Sequence, residues 1–159
     1  MKRREFIAAG AASLTLPGWA GVQLVPSFLV PMDDSQADHL RAYGVTFRAL
    51  KRGERSEWLL NYRDGSFLLP ASAATAKDLT LSGVYAEPVD DAEIAAIHAE
   101  IQETNADAVP LEKAPEVAVY APPNVAPWDD AVTMALGYAG VGYDKLWDPE
   151  VVGAGLNAY

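Results

Sequence analysis

The chain has 159 residues, 50% of them hydrophobic and 21% charged, with a formal net charge of −10, a pI of about 4.5 and no cysteine. This is globular composition, enough for one ordinary domain or one and a half small ones. The acidic balance repels phosphate backbones, so nucleic acid is not an expected partner. The missing thiols exclude disulfides, thiolate zinc sites and a cysteine nucleophile from these residues.

Residues 1–20 read as an address. Lys2-Arg3-Arg4 is followed by Phe6-Ile7 and a mildly apolar run to Leu16. Pro17-Gly18 breaks any helix, and Trp19-Ala20-Gly21 offers small residues for cleavage. The charged, apolar and small-residue regions are those of a secretory signal. The arginine pair resembles the twin-arginine export motif, with Lys2 where Ser or Thr is usual. The apolar run is far shorter than the ~20 residues a membrane span needs, so no stable span is expected. The expectation is an exported protein, periplasmic or extracellular, cleaved near Ala20, whose first partner is the twin-arginine machinery. Such substrates often carry a cofactor, but no residue here identifies one.

After a linker, 21–26, Ser27–Met32 reads as a buried strand, a short apolar run ended by polar residues. Asp33, Asp34 and Ser35 are candidate N-caps. Leu40, Tyr43, Phe47 and Leu50 share helical spacing over 36–52, with Gly53 as the stop. Glu57–Tyr62 is the next strand, then an Asp64-Gly65 turn, with Phe67–Leu69 a short extension. Ala71–Leu81 is an alanine-rich helix. Val84–Val89 is a weaker strand. Asp90 and Glu93 form a capping box ahead of Ile94, Ile97, His98 and Ile101 on one helical face. Residues 105–116, with two prolines and mixed charge, read as a linker. Val117–Tyr120 is a strand, Trp128–Ala139 a helix with Pro127 in its first turn, and Tyr143–Trp147 the last strand. Asp148-Pro149 starts a short helix.

Strands alternating with helices predict an α/β fold of βαβ units, forming a mostly parallel, flavodoxin- or Rossmann-like sheet that is incomplete at the C-terminus. The units are 27–104 and the start of a second at 117–159. They look alike, which suggests a duplication. In such sheets ligands bind beyond the carboxyl ends of the strands. The residues there are Asp33, Asp34, Asn61, Arg63, Asn124 and Asp148. They suit a small polar ligand, while Asp and Asn at these places also cap helices and make turns. Arg63 is the one capping explains least. His39 and His98 lie on different helices and form no ligand pair, and no metal site is expected. Gly153 and Gly155 lack the third glycine of a dinucleotide fingerprint. Phosphate-loop, nucleophile-elbow and His-Glu-x-x-His motifs are absent.

Three stretches carry a resemblance: Leu29–Asp33 with Asp38–Gly44, Glu57–Phe67, and Pro127–Thr133. They are similar to bacterial proteins labelled asparagine synthetase B, of a type found in Bacteroidetes-like genomes, and Trp58-Leu59-Leu60-Asn61-Tyr62-Arg63 is the most specific part. Members of that group are longer, so the resemblance implies an N-terminal fragment without activity of its own. The standard glutamine-dependent synthetases need an N-terminal cysteine and a pyrophosphate loop, and this chain has neither. Residues 117–159 look more loosely like the opening of a class I glutamine-amidotransferase-like domain, which implies an amidotransferase-like or hydrolase-like parent. The alternative is an exported, non-catalytic binding module for a small polar ligand.

Overall fold

The computed structural model describes residues 27–124, 130–153 and 155–159. The export signal, the 21–26 linker and Pro127-Trp128-Asp129 lie outside the described residues. In chain order the elements are β1 (Ser27–Val30), α1 (His39–Lys51), β2 (Ser56–Leu60), β3 (Ser66–Pro70), α2 (Ala73–Ser82), β4 (Glu87–Val89), α3 (Asp91–Glu103) and β5 (Asp107–Leu111). Then come β6 (Ala118–Tyr120), α4 (Ala131–Ala139), β7 (Asp144–Leu146), α5 (Asp148–Val152) and a 3₁₀ turn (Gly155–Ala158).

The main sheet has the order β4-β1-β3-β2-β5, and every neighbouring pair in it is antiparallel. This overturns the expected mostly parallel, flavodoxin- or Rossmann-like sheet. The helical crossovers do join strands of like direction: β1 to β2 through α1, β3 to β4 through α2, and β4 to β5 through α3. One strand separates β1 from β2 and β3 from β4, and three separate β4 from β5, so no two like-directed strands are neighbours. The tight Asn61–Gly65 link forces β3 to lie antiparallel beside β2. The β3 segment, read from sequence as an extension, is the central strand, with Ser66, Phe67, Leu68 and Leu69 all buried. Residues 105–116, read as linker, contain the edge strand β5.

Strand alternation sends two sets of side chains to opposite faces. Val30, Phe67 and Leu69 pack with Ala42, Val45 and Leu79 beneath α1 and α2. Leu29, Leu59 and Leu68 pack with Ile97 and Ile101 beneath α3. The two edge strands each carry a proline, Pro88 in β4 and Pro110 in β5. Proline cannot donate to a further ladder, which protects exposed edges from pairing with other chains.

Asp38 caps α1 by accepting from the Arg41 amide, where the sequence offered Asp33, Asp34 and Ser35. Asp90 and Glu93 form the capping box on α3 as expected. A second sheet, β6–β7, is parallel and joined through α4, a small βαβ unit. It is fixed to the main body by α4 against α1. A Cβ on Gly44 would lie 1.7 Å from the Ala139 carbonyl oxygen, so only glycine lets the helices come this close. Arg48 closes the contact, donating to Ala139 O (3.2 Å) and to the Ser82 hydroxyl (2.9 Å).

Candidate functional site

Although the sheet is antiparallel, β1 and β2 run the same way, so their carboxyl ends share one end of the sheet. Asp33, Asp34, Asn61 and Arg63 therefore gather there as the sequence suggested. The amino end of β4 arrives beside them and adds Glu87, which sequence reasoning did not select.

The turn after β2 sets the geometry. Asn61, Arg63 and Asp64 have φ of 60°, 46° and 62°. Left-handed backbone is tolerated by Asn and Asp but is costly for arginine, of order 1–3 kcal/mol. The surroundings hold it. The Gly65 and Ser66 amides donate to Tyr62 O (3.0 Å each), the Ser66 hydroxyl donates to Tyr62 O (3.0 Å), and the Met32 amide donates to Arg63 O (3.2 Å). Trp58 Nε1 donates to Gly65 O (3.0 Å), and Asn61 Nδ2 donates to Asn105 O (2.9 Å).

This conformation delivers the Arg63 side chain between two carboxylates from separate segments. Its Nε donates to Asp33 Oδ2 (2.6 Å), one Nη to Glu87 Oε1 (2.8 Å) and the other to the Ser35 hydroxyl (3.1 Å). The Ser35 amide donates to Asp33 Oδ1 at 3.0 Å, and its hydroxyl donates there too. The hydrogen bond from Arg63, with that from Ser35, holds the Asp33 carboxyl well below the usual carboxylate range, and Asp33 in turn raises Arg63. The Glu87 charge pushes the neighbouring Tyr85 phenol up. Arg63, Asp33 and Glu87 are 27%, 28% and 35% exposed, so the cluster is open to solvent. Two carboxylates against one guanidinium leave it net negative, and exposed Asp34 and Asp64 add to this.

Behind the cluster, buried Gln36 clasps the loop. Its Nε2 donates to Pro31 O (3.2 Å) and Tyr85 O (3.1 Å), and its Oε1 accepts from the Tyr85 amide (3.2 Å). His39 Nε2 lies 2.9 Å from Met32 O. The remaining candidates do not join. Asn124 follows β6 and is exposed, and Asp148 opens α5 and accepts from the Tyr120 hydroxyl. Both belong to the β6–β7 unit. Gly153 and Gly155 lie at the end of α5 and in the 3₁₀ turn, away from any strand.

Ser35 and Glu87 were missed for identifiable reasons. Ser35 read as a cap, and Glu87 stood one residue before a proline in a weak strand. Only pairing of β4 with β1, which sets Glu87 opposite Leu29, brings it to Arg63.

Among the described residues no group of three or more potential ligands could hold a metal ion, and no helix is long and apolar enough to cross a membrane. No family model matches the sequence, and neither a curated protein nor a solved structure is significantly similar to it.

Proposed function

We propose that this chain is an exported, non-catalytic binding module for a small zwitterion of the amino-acid class, held at the Asp33–Arg63–Glu87 cluster. The observation that carries the reading is Arg63, set at φ 46° by a hydrogen-bonded turn so that its side chain lies between two partly exposed carboxylates. Unfavourable backbone held by its surroundings is concentrated at functional sites. The ligand class follows from charge. A free anion meets a net negative cluster, and a simple cation has to compete with Arg63. A zwitterion exchanges partners instead: its carboxylate takes Arg63 and its ammonium takes the released Asp33 or Glu87. Each charge then keeps an opposite charge, and bidentate carboxylate recognition is what guanidinium does well.

The test is a thermal-shift and NMR titration with free α-amino acids, simple amines and simple carboxylates. Binding to the folded state raises its stability by mass action. Saturable stabilisation by an amino acid, lost in Glu87→Gln and Asp33→Asn, is expected. No response to any amino acid would refute the reading.

A second reading is supported by the parallel β6–α4–β7 unit. In it the chain is the N-terminal part of a longer exported protein similar to the asparagine synthetase B group, with amidotransferase-like or hydrolase-like chemistry beyond Tyr159. The intact mass of the native protein from its own cells decides. A species well above 17.0 kDa favours this reading. One lighter by about 2 kDa, the allowance for a cleaved signal, removes it.

A further inference from the structure

The face of the sheet beneath α3 has a polar interruption. The row Glu87–Leu29–Leu68–Glu57–Pro110 crosses all five strands and carries two carboxylates, Glu87, which Arg63 holds at the β4 edge, and Glu57 on β2. A carboxylate on an inward sheet face carries a desolvation cost unless it is partnered. The partner of Glu57 is His98 of α3, whose Nε2 is 2.7 Å from Glu57 Oε2. The pair is not sealed: the side chains of His98 and Glu57 are 36% and 39% exposed.

The exposure has a cause. Ile97 and Ile101 of α3 pack on Leu29, Leu59 and Leu68, while Glu57 and Pro110 line clefts beside the helix that it does not fill. Two grooves, of about 370 and 440 Å³, adjoin there and share Glu57 and Pro110 in their walls. Together they form a trough running along edge strand β5. Its apolar parts include Leu68, Pro70, Ile94 and Ile101. Glu57, Glu112 and Asp107 also line it, against the cations Arg55 and His98. Arg55 is itself 3.8 Å from Glu112, and the whole chain carries −10.

We propose that this trough binds an extended basic peptide, laid along β5, with a lysine or arginine on Glu57 and apolar side chains on the Leu68–Pro70–Ile94 floor. Charge selects the partner: an acidic wall in an acidic protein favours a basic chain and disfavours an acidic one. Shape selects the conformation. A trough beside a strand fits an extended segment, whose alternate side chains point the same way. Pro110 limits ladder pairing with β5, so side chains rather than main-chain bonds carry the recognition. The site is separate from Arg63, which stands at the end of the sheet.

Fluorescence anisotropy of a labelled ten-residue peptide with lysine and valine alternating along one face and serine on the other (Lys-Ser-Val-Ser repeated), at low ionic strength and with the full chain, tests this. The same peptide with glutamate for lysine is the control. Saturable binding of the basic peptide alone is expected, weakened roughly tenfold by Glu57→Gln through loss of a charged hydrogen bond. Asp64→Asn removes a carboxylate outside the trough at a left-handed position asparagine tolerates, and is expected to leave binding of this peptide unchanged. Pro110→Lys faces Glu57 directly across the β2–β5 pair and neutralises it without removing it. Because lysine also restores an amide donor at the β5 edge, Pro110→Ala is its control, and Pro110→Lys is expected to bind the peptide more weakly than Pro110→Ala. The proposal is overturned by equal binding to wild type and Glu57→Gln, by an equal loss in Asp64→Asn, or by tight binding of the acidic peptide.

Discussion

The five-stranded sheet and the β6–α4–β7 unit obey the same packing rules with unequal means. The first has helices on both faces and buries large side chains, with Leu59, Leu69, Val30 and Val45 at 0% exposure. The second buries mainly small groups, Ala121, Thr133 and Ala139, with Leu146 its one large buried residue among those described. Its apolar side chains face outward instead: Val132 is 56% exposed, Met134 54% and Val152 87%. Two parallel three-residue strands have little surface to offer, and parallel pairs are normally covered on both sides. The first region is thus held by its own core, and the second by its grip on α1.

The largest test of that contrast is truncation. Leu59→Ala and Leu69→Ala are expected to cost about 2–5 kcal/mol, from lost burial plus the cavity left behind. Met134→Ala, at an exposed position, is expected to stay within about 0.5 kcal/mol. Urea unfolding of the variants reads both. If Met134→Ala cost as much as Leu59→Ala, the second unit would hold a core this account denies it.

The next test cuts the grip itself. Gly44→Ala would add roughly 0.5–1 kcal/mol of helix propensity in an unconstrained helix. Here the new Cβ meets the Ala139 backbone oxygen, an atom that cannot swing away. Overpacking of this kind costs about 1–3 kcal/mol, so net destabilisation is expected. Hydrogen exchange should quicken across α4 and β7 while β1, β2 and β3 keep their protection. Equal quickening in both regions would mean they unfold as one unit.

This division of labour was only partly legible in the sequence. Elements with strong local signals emerged close to their expected bounds: α1 from the Leu40–Leu50 spacing, α3 from its capping box, β1 from its apolar run. Sheet order did not, because strand–helix alternation records only that crossovers exist. Whether a crossover joins neighbours or skips a strand depends on pairing: the Asp64-Gly65 turn marks β3 beside β2, but nothing local says that β1 takes the other side of β3. Strand β5 was hidden for a related reason. As an edge strand with Pro110 and charged neighbours, it has the composition of a linker. At the candidate site, Asp33, Asn61 and Arg63 were found because turn residues after strands are readable. Glu87 was not, since its place beside Arg63 is a matter of register. Asn124 and Asp148 were grouped with them on the expectation of one continuous sheet, whereas they follow β6 and β7 in a separate two-stranded sheet.

The smallest expected effect concerns the charge cluster that ties the loop after β1 to the β2–β3 turn and to β4. The hydrogen bond from Arg63 lowers the Asp33 carboxyl below its ordinary value. A carboxyl lowered by folding stabilises the native state above its unfolded pKa, near ~3.9, and that contribution is lost as pH falls toward the lower folded value. Asp33→Asn still accepts from Arg63 but cannot titrate. The melting temperature of wild type should therefore exceed that of the variant at pH 6, by a margin that shrinks as pH falls below about 4. Subtracting the two curves removes the other carboxylates, which titrate in both proteins. A difference that stayed constant with pH would mean that Asp33 acts through hydrogen-bond geometry alone. Partner exchange at Arg63 would then lack its electrostatic basis, even though the turn that presents the side chain would stand.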